Sequence, residues 1–142
     1  MLLCNAQRTK NIVHHWKLIK MAANVKMLVV DDDQDMRTSL ALQFEAEGFI
    51  VDTADDGIPA LSMIRQNDYD IILLDLNLPR MNGVTLMKEL QQREKLPHVS
   101  IQTASNSLLK EIECVKLGAK NYLLKPCDPA ELMNVVTKTL NS

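Results

Sequence analysis

Glycine is scarce, with four in 142 residues. There is no Walker-type Gly-Lys loop and no GxGxxG stretch, which excludes a glycine-rich phosphate cradle. Cysteine is scarcer still. Cys4, Cys114 and Cys127 are an odd number, widely spaced, with no CxxC pair. That pattern fits reduced thiols in a cytosolic protein better than a disulfide framework. No apolar run approaches the ~18 residues a membrane helix needs. The start "MLLCNAQRTK" lacks the long apolar stretch of a secretion signal. Neither sign of charge dominates, and the net charge is -2. Bulk electrostatics therefore gives no reason to expect direct binding to nucleic acid or to a membrane surface.

The remaining composition is that of an ordinary globular chain: 46% hydrophobic and 24% charged, long enough for one domain with a real core. Residues 1–25 stand apart. They carry Arg8, Lys10, Lys17 and Lys20 but no acid. Ile12, Trp16, Ile19 and Ala23 fall at helical spacing, so this leader reads as either flexible or a short helix. His14 and His15 are sequence neighbours that do not share one helix face, which argues against a metal site.

From Val25 on, strands and helices alternate. Val25–Val30 reads as a strand and Asp35–Glu47 as a helix stopped by Gly48. "FIVDTA" is a second strand; after the turn "DDG", Pro59 opens a second helix. "YDIILLD" is a third strand, and its unbroken apolar run predicts burial on both faces. Val84, Leu86, Met87 and Leu90 mark a third helix. "HVSIQT" is a fourth strand, Ser107–Leu117 a fourth helix stopped by Gly118, and "NYLLK" a fifth strand. Asp128 and Pro129 open a fifth helix running to about Leu140. Such βα units predict an α/β fold, a parallel sheet covered by helices on both faces.

In open sheets of this kind the site lies beyond the carboxyl ends of the strands. Asp31, Asp32 and Asp33 fall there on the first strand, Asp75 on the third, Thr103 on the fourth and Lys125 on the fifth. Adjacent carboxylates repel one another unless a cation sits among them. Hard oxygen ligands with spare room suit Mg²⁺, which keeps several waters and takes one or two carboxylates plus a phosphate. A carboxylate can also attack a phosphoryl group and form an aspartyl phosphate. Mg²⁺ and Lys125 would then stabilise the transferring oxygens, with a hydrogen bond from Thr103.

From Lys26 to Leu140 the chain resembles the receiver domains of two-component response regulators. "LVVDDD" is similar to the family's acid pair and "DIILLDLNLPRMNG" to its phosphoacceptor segment; "QTAS" and "GAKNYLLKP" resemble its hydroxyl and lysine segments. The resemblance implies a flavodoxin-like, doubly wound sheet of five parallel strands in the order 2-1-3-4-5 with five helices. It makes Asp75 the phosphorylated residue, with Thr103 and Lys125 assisting. The metal ligands are then Asp31, Asp32, Asp75 and the backbone carbonyl of Asn77. It casts Thr103 and Tyr122 as the switch pair, with Tyr122 moving inward on phosphorylation, and implies a cis Lys125–Pro126 bond. The implied molecule is a cytoplasmic signalling switch that catalyses its own phosphoryl transfer and dephosphorylation. Its partners would be a sensor histidine kinase or phosphotransfer protein and a downstream protein target. It would be a monomer or weak homodimer through the face of the fourth helix, fifth strand and fifth helix. The domain reading is a leader at 1–25 and a receiver at 26–142.

The acidic loop after the first strand would repel the phosphate of a flavin mononucleotide, which argues against a flavodoxin. Carboxylate-using phosphatases want an acid two residues after the nucleophile, where this chain has Asn77. The sequence ends at Ser142, just past the last helix, which favours a stand-alone receiver over one cut from a longer transcriptional or enzymatic regulator.

Overall fold

A computed structural model describes residues 24–141. The leader, with Cys4, His14 and His15, lies outside the described residues apart from its last two positions. The elements are β1 (Lys26–Val30), α1 (Gln34–Glu45), β2 (Ile50–Ala54), α2 (Gly57–Gln66), β3 (Ile71–Leu74) and α3 (Gly83–Leu90), followed by β4 (His98–Thr103), α4 (Leu108–Lys116), β5 (Asn121–Leu124) and α5 (Pro129–Asn141). The strands form one five-stranded sheet in the order β2-β1-β3-β4-β5, and every pairing is parallel. This is the sheet order the family resemblance implies.

Successive residues of a strand point to opposite faces, and the sequence uses both. Leu28 and Val30 of β1 and Ile72 and Leu74 of β3 pack with Ala60, Leu61 and Ile64 of α2 and with Leu86, Met87 and Leu90 of α3. Cys114 of α4 joins that layer. On the other face, Met27, Val29, Ile71 and Leu73 pack with Leu40 and Phe44 of α1 and with Leu132 and Val136 of α5. All four residues of β3 are buried, as its continuous apolar run predicts. Burying each such side chain contributes about 1.5–3 kcal/mol.

Most helix ends follow from short polar side chains. Asp33, Asp56, Asn82 and Ser107 cap α1 to α4, each accepting from a backbone N–H of the first turn. Gly48 and Gly118 have φ of 95° and 103°, conformations that stop α1 and α4 and disfavour any side chain. Element ends shift by a residue or two from expectation, and the start of the second helix shows why. The second helix opens at Gly57, two residues before Pro59, because the Asp56 carboxylate caps it. Pro59 then sits within the first turn, where its missing N–H is no loss. The Lys125–Pro126 peptide bond is cis, as expected.

Candidate functional site

The site residues stand one step past their strands but remain in the backbone ladder. The Asp31 N–H donates to the Ala54 carbonyl at 3.1 Å, and the Asp75 N–H donates to the Val30 carbonyl at 2.9 Å. The Lys125 N–H donates to the Thr103 carbonyl at 2.9 Å. Sheet hydrogen bonding thus sets Asp31, Asp75 and Lys125 on one edge, at the carboxyl ends of β1, β3 and β5.

Their side chains meet there. Lys125 Nζ donates to Asp31 Oδ2 at 2.6 Å and to Asp75 Oδ2 at 2.9 Å. Both carboxylates are buried, and one ammonium serves the pair. Burial alone would pull the Lys125 pKa down. The hydrogen bonds and charges of Asp31 and Asp75 outweigh it and hold the pKa above the ordinary lysine value. The other carboxylate oxygens take backbone donors: Asp33 N–H to Asp31 Oδ1 at 2.9 Å, and Asn77 N–H to Asp75 Oδ1 at 3.1 Å. Asp32 is exposed at the mouth, yet ligand oxygens of Asp31, Asp32 and Asp75 all lie within 4.8 Å of one another. Three hard oxygen donors in that space, one of them open to water, fit a hexahydrate-derived Mg²⁺ ion.

The hydroxyl of Thr103 is fully buried at the end of β4 and accepts from the Ser105 N–H at 3.3 Å. The Tyr122 hydroxyl donates to the Ser105 carbonyl at 2.8 Å, and its half-buried ring packs on the α2–α4 side of the core. Burial pushes the Tyr122 hydroxyl pKa up. Thr103 and Tyr122 therefore address the same residue of the β4–α4 loop. Asn77 lies in the β3–α3 loop two residues after Asp75, as the sequence order requires.

Three residues with parts here escape a reading of the sequence. Asp33 looks like a third acid of the cluster; its carboxylate instead accepts from Asp35 and Met36 N–H as the cap of α1. Arg37, one turn into α1, donates from Nη1 to the Asp31 carbonyl at 2.7 Å. Asp56 is buried beneath the β3–α3 loop and bonded to it. For Arg37 the available signal is a helical spacing that turns it back over the strand end. For Asp56 the only signal is an acid before the glycine of "DDG".

The family model for the response regulator receiver domain matches residues 27–137. The chain is 36% identical over 108 residues to "Response regulator ArlR" of Staphylococcus saprophyticus, covering 76% of this chain and 49% of that protein. The chain spans about half the length of that relative, or less for others such as the Escherichia coli regulatory protein AtoC at 26%. Among solved structures, the Francisella response regulator 1452 receiver domain matches with a TM-score of 0.77 at 35% identity, over 83% of this chain and 98% of that one. A chain of the CheX-CheY-BeF3-Mg+2 complex from Borrelia burgdorferi matches with a TM-score of 0.77 at 30% identity, over 82% of this chain and 89% of that one. Sheet order, the lysine-bridged acid pair and these likenesses agree: the chain belongs to the receiver domain family of two-component response regulators.

Proposed function

We propose that Asp75 accepts a phosphoryl group from the phosphohistidine of a sensor kinase or phosphotransfer protein. The carrying observation is Asp75 itself, buried at the end of β3 and paired with Lys125 Nζ at 2.9 Å. One Asp75 carboxylate oxygen attacks phosphorus. The P–O bond forms as the P–N bond breaks, and the electron pair leaves on the imidazole nitrogen. Asp31, Asp32, Asp75 and the Asn77 carbonyl are the residues that would hold Mg²⁺. When bound, the ion supplies positive charge to the phosphoryl oxygens. Lys125 supplies the second cation, turning part of its hydrogen bonding from the carboxylates to a phosphoryl oxygen. Thr103 donates its hydroxyl to another oxygen. The Borrelia relative, solved with BeF3 and Mg, supports this assignment by likeness. The same groups orient water for hydrolysis, so the domain catalyses both its charging and its resetting.

The readout runs from Thr103 to Tyr122. Drawing the Thr103 hydroxyl to phosphate removes the acceptor now used by the Ser105 N–H, and the loop bonded to Tyr122 follows. This is a shift between populated states. The downstream target then reads α4, β5 and α5, where Leu108, Leu109, Val115 and Leu124 are exposed. The protein is cytoplasmic in this reading and a monomer or weak homodimer through that face. The domain division is a leader at 1–25 and a receiver at 26–142. A second reading, the receiver of a longer regulator, is favoured by the greater length of the curated relatives. The test is labelling with acetyl phosphate and Mg²⁺. Asp75→Asn should abolish it and EDTA should suppress it; label persisting elsewhere in Asp75→Asn, or a normal rate in EDTA, defeats the proposal.

A further inference from the structure

Asp56 is the most elaborately bonded acid outside the phosphoacceptor cluster. Its side chain is 1% exposed. Oδ1 accepts from the Arg80 N–H at 3.0 Å and the Met81 N–H at 3.2 Å. Oδ2 accepts from the Ile58 N–H at 3.4 Å and lies 3.2 Å from Arg80 Nε. A carboxylate that only caps a helix needs none of the contacts to residues 80 and 81. Those residues belong to the β3–α3 loop, which starts at Asp75 and carries Asn77.

The loop is pinned at both ends. At its start, the Asn77 N–H bonds Asp75 Oδ1, and the Leu78 and Gly83 N–H groups both donate to the Leu76 carbonyl at 3.1 Å. A Cβ at Gly83 would fall 2.7 Å from the Asp75 carbonyl oxygen. At its far side, a Cβ at Gly57 would fall 2.4 Å from the Met81 carbonyl oxygen. The start of α2 and the loop are thus in direct backbone contact, with the Asp56 carboxylate between them.

We propose that Asp56 is a positioning residue for phosphoryl transfer: by holding the Arg80 and Met81 amides, it fixes the loop that presents the Asn77 carbonyl to the cation. This rests on the phosphoacceptor reading above. Asp56 touches neither metal nor phosphate in this account. It acts as an outer partner that orients a ligand, a role whose loss typically weakens metal affinity about 10–100-fold.

The experiment compares the parent chain with Asp56→Ala, Asp56→Asn and Ser107→Ala. Ser107→Ala removes a helix cap of the same kind, at α4, away from the loop. Three quantities are read: Mg²⁺ affinity by calorimetry, amide hydrogen exchange over residues 76–83, and labelling by acetyl phosphate. Asp56→Ala should weaken Mg²⁺ affinity about 10-fold, speed exchange in the loop and slow labelling. Asp56→Asn keeps a carbonyl oxygen for the two amides and should fall between Ala and parent. Ser107→Ala should match the parent in all three. Parental Mg²⁺ affinity and loop exchange in Asp56→Ala overturn the proposal. So does an equal loss in Ser107→Ala, which would mark general loosening. If Asp56→Ala fails to fold, Asp56→Asn decides by the same criteria. A parent that takes no label sinks the phosphoacceptor reading, while the Mg²⁺ and exchange comparisons still judge Asp56.

Discussion

One ammonium serving two buried carboxylates makes Lys125 a stabilising residue, apart from its part in the proposed transfer. Removing one partner of a buried ion pair costs about 3–5 kcal/mol, because the remaining charge is left uncompensated. Lys125→Ala should therefore lower the metal-free stability by about 3 kcal/mol in denaturant titration. Mg²⁺ should restore more stability to this variant than to the parent, since the ion then replaces the missing cation. The folded-state pKa of Lys125 is raised. Its contribution is thus complete below the ordinary lysine value of about 10.5 and lost as pH climbs through the folded value. The gap between parent and Lys125→Ala should close in strongly alkaline solution. Asp56 has the opposite sign. Burial pushes its pKa up, but the N–H donors of Arg80, Met81, Ile58 and Gly57 outweigh that and lower it. Its contribution is present above the ordinary value of 3.8 and fades as pH falls through the lower folded value. The Tm difference between parent and Asp56→Asn should shrink below about pH 4; a difference that grows there contradicts the bonding described. Asp32 is exposed among like charges, so Asp32→Ala should weaken Mg²⁺ binding while leaving the metal-free Tm equal or higher.

At the level of elements, two glycines separate two kinds of constraint. A Cβ at Gly118 would make ordinary contact, 3.6 Å from Gln91 Nε2, but φ there is +103°. Gly118→Ala should cost about 1 kcal/mol of stability through backbone strain and leave Mg²⁺ affinity alone. Gly57→Ala meets the Met81 backbone instead, so it should disturb the β3–α3 loop and weaken Mg²⁺ binding as well. Equal effects of the two on Mg²⁺ would contradict that distinction. The proposed switch belongs to this scale too. Thr103→Ala should retain labelling but lose the phosphoryl-dependent change at Tyr122, read by the nuclear magnetic resonance of its ring. These elements were largely legible in the sequence. Alternating strands and helices, the apolar run of β3 and the glycine stops each follow from local chemistry. Asp31, Asp75 and Lys125 were legible because parallel topology sends strand ends to one edge. The partnership of Asp56 with residues 80 and 81 was not, since no periodicity relates a turn to a loop beyond the next strand. The capping role of Asp33 was hidden for a related reason: three adjacent aspartates look alike until the chain bends and gives each a different set of neighbours.

For the molecule as a whole, the apolar residues left outside the core are unevenly spread. Leu109 is 80% exposed and Leu108 66% exposed, with Ile112, Val115 and Leu124 nearby on α4 and β5. Under the proposed readout, beryllofluoride with Mg²⁺ should strengthen association through this face, measured by sedimentation. Leu109→Glu should abolish the effect without altering labelling. Unchanged association in that variant would move the interface elsewhere. The sheet also orders events during synthesis. Lys125 and Asp31, bonded at 2.6 Å, are 94 residues apart in the chain, and Lys125 and Asp75 are 50 apart. A ribosome-bound chain that has emerged only through β4 holds two strand-end carboxylates with no ammonium between them. Contacts of such long reach are slow to form, because a large loop must close first. The lysine is also among the last groups of the fold to emerge, so the acid pair stays uncompensated until the fifth strand docks. Completion of the sheet and completion of the lysine-bridged acid pair are then one event, and under the proposed function an unfinished chain cannot be charged.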